Sequence, residues 1–264
     1  MKLLKFRTCS NEIEQTRLIE IIKTNSFWYD ASINQNDLFD VSPIISSEFG
    51  YDDFSSFISY RVHQKEISTA IADKFRSEWI AGRIDLITFK EVAIEASVMM
   101  LDGFRTKMSF CSFSDISELK NPRLWGMYSA SGSGCAIEID TPGTLDTANT
   151  AFHRVKYEGT RPILRLSEIF DAITIEGKFD AFISKTFATK YSIWNDENEI
   201  RHLLTKDPCT RSIGQITSIY FGPKMLPEIK HKIISITRET NQKILFFDMI
   251  PSKSNYEMDA IQLR

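Results

Sequence analysis

The chain opens with a strand-like alternation and then changes period. "LLKFRT" (3–8) reads as a short strand, and "NEIEQTRLIEIIKTN" after it sets Ile13, Leu18, Ile21 and Ile22 at helical spacing. Asn11 and Glu14 make an Asn-x-x-Glu capping box, in which each side chain takes a free backbone N–H at the start of the helix. "SFWYDA" (26–31) has the aromatic composition of a strand. "INQNDLFDVSP" is rich in Asn and Asp, which bond their own backbone, and it predicts an ordered loop. From 51 to 105 the period is helical, in "FSSFISYRVHQKEISTAIADKFRSEWI" and "LITFKEVAIEASVMML", with "AGR" as the break. This span predicts a helical insertion.

Beyond it, "KMSFCSF" (107–113), "GCAIEID" (134–140) and "FHRVKYEG" (152–159) predict strands, and "NPRLWGMYSA" a short helix with Pro122 in its first turn. A longer helix is expected over about 166–190, then a strand at "QITSIYFGP", a helix over 226–240, and strands at "KILFFDMIP" and "YEMDAIQL". Several strands are joined by links too short for a parallel crossover, which needs about a dozen residues. The expected class is therefore α+β with a mixed, mostly antiparallel sheet. No repeat or linker divides the chain, so a single domain over 1–264 with the 51–105 helical insertion is expected.

Composition narrows the functional classes. With 264 residues and 42% hydrophobic content the chain can bury one sizeable core. No window reaches the roughly 18 apolar residues of a membrane span, and "MKLLKFRTCS" lacks the apolar run of a signal peptide. Cys9, Cys111, Cys135 and Cys209 form no CxxC pair and the histidines no HxH or HxxxH. Neither disulfides nor a metal site are expected, and the cytoplasm is the expected location. A net charge of −3 does not advertise a polyanion partner. Its distribution is uneven: Thr24 to Tyr60 has Asp30, Asp37, Asp40, Glu48, Asp52 and Asp53 but no Lys or Arg. Lys224, Lys230, Lys232, Arg238 and Lys243 outnumber Glu228 and Glu239, as a nucleic-acid face or an ordinary solvated helix would.

The candidate chemistry centres on "YSIWNDENEIRHLL" (191–204). As a strand it sets Glu197, Glu199 and Arg201 on one face, with two carboxylates side by side; as a helix it makes Glu197–Arg201 an ordinary i,i+4 surface pair. "SASGSGCAIEID" could cradle a phosphate through Gly132 and Gly134, or be a turn entering a strand. Cys111 is either a nucleophile or a buried thiol. Trp125 and Tyr128, three residues apart, either stack on a planar ring or pack the core.

"LLKFR", "NDLFD", "FCSFSD", "LWGMYSASGSGCAIEID", "VKY", "WNDENEIRHLL" and "IYFGP" together resemble the successive signatures of a widespread bacterial family known mainly as a domain of unknown function. That pattern resembles in turn the mono-ADP-ribosyltransferases of the Arg, Ser-x-Ser, Glu-x-Glu type, including toxins of toxin–antitoxin and phage-defence systems. The resemblance implies a split sheet and NAD as co-substrate. It implies that Arg7 meets the phosphates or ribose of NAD, that Ser112 and Ser114 brace the nicotinamide ribose, and that Trp125 or Tyr128 stacks on nicotinamide. Glu199 would be the catalytic carboxylate, with Glu197 beside the acceptor, which is a nucleic acid or a protein. Ser-Phe-Ser stands where the pattern usually has Ser-Thr-Ser. A neutralising antitoxin-type protein partner is also implied. The other readings are a non-catalytic interaction protein of such a locus, whose Glu197–Arg201 cluster is structural, and an NAD glycohydrolase.

Overall fold

The computed structural model describes residues 1–35, 37–145, 151–240 and 243–263. Strand β1 (Lys2–Arg7) leads into helix α1 (Glu12–Thr24). Asn11 accepts from Glu14 N at 2.9 Å, while the Glu14 carboxylate takes Ser10 N at 2.7 Å, one residue earlier than a capping box has it. β2 (Phe27–Ala31) and the two-residue β3 (Ile44–Ile45) follow. Residues 51–107 are helical, as α2 (Tyr51–His63), α3 (Thr69–Ile80) and α4 (Leu86–Lys107). Then come β4 (Ser109–Asp115), α5 (Pro122–Tyr128) with Pro122 in its first turn, β5 (Cys135–Asp140), β6 (Phe152–Arg154), β7 (Lys156–Glu158) and β8 (Ile163–Leu164).

The single helix expected over 166–190 is two, α6 (Leu166–Thr174) and α7 (Lys178–Phe187), followed by strand β9 (Thr189–Tyr191). Gly177, at φ +81, turns the chain between them where a side chain would be strained. β10 (Glu199–Leu204), β11 (Cys209–Arg211), β12 (Gln215–Phe221), α8 (Pro227–Glu239), β13 (Leu245–Pro251) and β14 (Met258–Gln262) complete the order.

Among the described residues, ten strands form one open sheet in the order β11-β2-β4-β1-β5-β12-β13-β14, with β10 and β6 branching from β4. Pairing is mostly antiparallel; β12 and β13 run parallel. The branch arises because β4 is shared unequally. One edge carries β10 along Ser109–Ser114, while the other carries β2 at Phe110 and β1 at Ser114.

Alternation divides the sheet into two faces. Leu3, Cys111, Phe113, Ile200 and Leu204 point to the face covered by α1 and α8, where Leu18, Ile22 and Ile233 are buried. Leu4 and Phe6 point to the other face, onto Trp125 of α5. Phe110 and Leu203 share that second face and meet Ile169, Phe182 and Phe187 of α6 and α7. Between these two apolar clusters lies a strip of charge.

Candidate functional site

Strands β4 and β10 build the strip. Their register sets Ser114 opposite Glu199 and Ser112 opposite Arg201, on the second face. The Ser112 hydroxyl donates to Glu199 Oε1 at 2.5 Å, and Arg201 Nε donates to the same oxygen at 2.7 Å. Arg201 Nη2 and Lys190 Nζ each reach Glu199 Oε2 at 3.2 Å. The Glu199 backbone N–H donates to the Tyr157 hydroxyl at 2.9 Å.

Arg201 is fully buried. Its far edge donates to both Asp40 oxygens, at 2.8 and 2.6 Å, and to Phe187 O at 2.8 Å, with the guanidinium 4.5 Å from the Phe110 ring centre. Lys190, from β9, donates to Glu197 Oε2 at 2.7 Å and lies 5.0 Å from the Trp194 ring centre. Tyr128, the last residue of α5, donates its hydroxyl to Glu197 Oε1. A continuous chain therefore runs Asp40–Arg201–Glu199–Lys190–Glu197–Tyr128, from 0% exposure at Arg201 to 37% at Tyr128.

Electrostatics follows from this wiring. Burial raises the Glu199 pKa, but the charges of Arg201 and Lys190 and the bonds from Arg201 and Ser112 outweigh it and hold the group at about 2. Burial lowers Lys190, and the two glutamates outweigh it and raise its pKa. Arg201 is likewise raised, by Glu199 and Asp40 against burial. Tyr128 and Tyr157 are raised, first by burial; the carboxylates add to this, and for Tyr157 the bond from Glu199 N opposes it. Both phenols stay neutral hydrogen-bonding groups.

The local chain explains how two glutamates meet without sharing a strand. Residues Ser192–Glu197 form a 3-10 turn, and Asn198, at φ 41 and ψ 49, breaks the extended alternation before β10 begins at Glu199. Asn tolerates this left-handed conformation, and here its side chain is tied to Glu118 Oε1 at 2.6 Å. The segment is thus neither a helix with a surface Glu197–Arg201 pair nor a continuous strand from Glu197. The Lys190 ammonium brings the two carboxylates together.

Of the expected site residues, Ser112, Ser114, Glu197, Glu199 and Tyr128 lie in or beside this strip. Arg7 does not. Leu4 pairs with Ser114, so alternation turns Arg7 with Leu3 to the α1 face, where its charge acts on the Cys9 and Cys135 thiols. Trp125 is not free to stack on a ring: it is buried in a T-shaped contact with Phe6, 5.2 Å between ring centres, and its Nε1 donates to Leu119 O at 2.7 Å. The stretch around Gly132 is a turn whose backbone N–H groups are already used. Gly132 N and Gly134 N donate to Ser129 O, at 3.1 and 2.8 Å, and Ser133 N donates to Ala130 O at 3.2 Å. Cys111 is buried on the α1 face opposite His202, whose Nδ1 is bonded to the Tyr29 hydroxyl at 2.9 Å.

Asp40, Tyr157 and Lys190 carry the site without having been singled out. Asp40 lies in the quoted "NDLFD", and a buried counter-charge for Arg201 was the signal available. Lys190, in "TKY", offered none. Two open concavities lie away from the strip, one on α8 around His231, Ser235 and Arg238, the other between α2 and α4 around Tyr60, Val92 and Met99. Among the described residues no group of three or more His, Cys, Asp or Glu is placed to hold a metal, and no helix is long and apolar enough to cross a membrane. No protein-family model matches the chain, and no match was found among curated proteins or solved structures.

Proposed function

We propose that the chain is a mono-ADP-ribosyltransferase that consumes NAD in the cytoplasm, as a toxin or defence effector held in check by a protein partner. The observation that carries this reading is the bond between Ser112 and Glu199, which joins two motifs 87 residues apart, together with Glu197 drawn to the same ammonium. Release of nicotinamide from NAD leaves positive charge on the ribose, and a carboxylate facing that charge lowers the barrier. The strip is suited to it: Asp40, Glu197 and Glu199 carry three negative charges against two positive ones on Lys190 and Arg201, a balance of −1.

The fit to NAD is partial. Ser112, Ser114, Glu197 and Tyr128 suit the nicotinamide–ribose end, while Arg7 faces away and leaves the pyrophosphate without its expected cation. Glu199 accepts four donors and is 4% exposed, so it orients and polarises the strip. Glu197, itself 6% exposed, adjoins the exposed Tyr128, and this edge supports its assignment as the carboxylate that meets a ribose or an acceptor. The sharing of β4 between β1 and β2 on one edge and β10 on the other supports a split sheet of the transferase kind.

A second reading, a non-catalytic interaction protein whose charge strip is structural, is favoured by that same saturation of Glu199. Incubation with NAD separates the two. The transferase releases nicotinamide and labels RNA, DNA or protein from a cell extract, and Glu197→Gln, which keeps shape and removes charge, lowers the rate about 10²-fold or more. Nicotinamide without label makes the chain a glycohydrolase. No nicotinamide with any extract leaves the interaction protein.

A further inference from the structure

Among the described residues, Lys190 is the one cation in contact with both glutamates, and cleavage of NAD by a carboxylate gives it no task of its own. Its side chain is 10% exposed, and those of Glu197 and Glu199 are 8% and 6% exposed. Two carboxylates held this close with little water oppose each other's ionisation unless a cation lies between them. Arg201 serves Glu199 but divides its charge with Asp40. Among the described residues, Glu197 receives besides Lys190 only the neutral Tyr128 hydroxyl. The charged groups acting on the ammonium are Glu197 from the 3-10 turn and Glu199 and Arg201 from β10, while Tyr128 from α5 and Tyr157 from β7 face the same two carboxylates.

We propose that Lys190 is a positioning residue that keeps Glu197 and Glu199 ionised side by side, and so sets the pH below which the pair stops working. This rests on reading the strip as the transferase centre. The ammonium enters from β9, outside the motif that supplies both acids, and its cation–π contact with Trp194 ties it to the turn that carries Glu197. Its removal leaves one cation, Arg201, for three carboxylates. The cheapest relief is a proton on one glutamate.

Two measurements test this on Lys190→Met, which keeps the stem against Trp194, on Lys190→Gln as a second neutral variant, and on Lys190→Arg, which keeps the charge. The first is a carbon-13 NMR titration of glutamate carboxyls in labelled protein, which needs no turnover. One buried carboxyl should titrate about one to three units higher in the neutral variants than in the wild type and in Lys190→Arg. Superimposable titrations in a folded neutral variant overturn the proposal. The second is the pH profile of nicotinamide release. Its acid limb should move up by a similar amount in Lys190→Met, with activity regained toward pH 9. A loss by the same factor at every pH marks Lys190 as merely structural and overturns the proposal. If the wild type releases no nicotinamide at all, the transferase reading falls, and the carboxyl titration still decides what Lys190 does.

Discussion

Asp40 offers the sharpest perturbation of the buried strip. It lies about 160 residues from Arg201 in the chain, yet takes both terminal nitrogens of a guanidinium that has no exposure, at 2.8 and 2.6 Å. Asp40→Ala leaves that cation in place with Glu199 and the Phe187 carbonyl as its partners. Breaking a buried pair from one side costs about 3–5 kcal/mol because a charge is left uncompensated, and the remaining partners put this case near the lower end, at about 3 kcal/mol. For a chain of this size that lowers the melting temperature by roughly 6–12 °C. Urea unfolding at pH 7 of the wild type, Asp40→Ala, Arg201→Met and the double variant checks it. The cycle should give a coupling of about 2–3 kcal/mol, since the second substitution removes the charge that the first one stranded. If Asp40→Ala costs under about 1 kcal/mol, as an exposed pair would, or if the two losses simply add, the strip is not the tight ionic unit described.

Two pH windows follow from groups on opposite faces of the same strand. His202 is drawn down from 6.5 to about 4, first by burial and then by the charges of Arg211 and His153, so its contribution is complete above pH 6.5 and is lost as pH falls toward 4. The loss is at most roughly 3 kcal/mol, and a His202→Gln variant should unfold in urea with a flatter dependence across that window; an unchanged slope would reject the assignment. Glu199, lowered from 4.5 to about 2, contributes fully above pH 4.5 and loses that contribution between there and pH 2. This too amounts to roughly 3 kcal/mol. Glu199→Gln should flatten the urea midpoint over that lower range alone, and a curve parallel to the wild type would show that another carboxylate governs it.

Much of the frame was legible because it obeys a simple period. The alternation at "LLKFRT" and "GCAIEID" predicts β1 and β5, and Asn11 as a cap and Pro122 in a first turn mark the starts of α1 and α5. Illegible were β3, β8 and β11, each two or three residues long and paired only because distant segments bring them together. Gly177 was the available sign that the 166–190 helix breaks. At the site, period and spacing could set Glu199 and Arg201 on one strand face, but Asn198 shifts Glu197 out of that register, and only the fold supplies Lys190 and Asp40. Arg7 shows the opposite failure. A motif order says nothing about faces, and a single step of alternation turned its side chain to the other side of the sheet.

The charge strip asks for a reason beyond stability. A buried ionic group is weak evidence for it, since well-packed apolar residues of similar volume often serve as well or better. The β4–β10 pairing has such residues on both flanks, with Phe110 and Leu203 on one side and Leu4 and Phe6 on the other, so an apolar strip would complete a single core across this face. Instead the polar groups are graded. Arg201 and Asp40 close the inner end, Glu199 and Lys190 form the middle, and Glu197 with Tyr128 reaches the half-open edge. The inner carboxylate and guanidinium form a matched bidentate pair, and the three outer groups, two acids and one base, hold the unbalanced negative charge. A positively charged ligand that entered from the Tyr128 edge would meet that excess first at Glu197, with Glu199, about as buried and saturated with donors, fixing the field behind it.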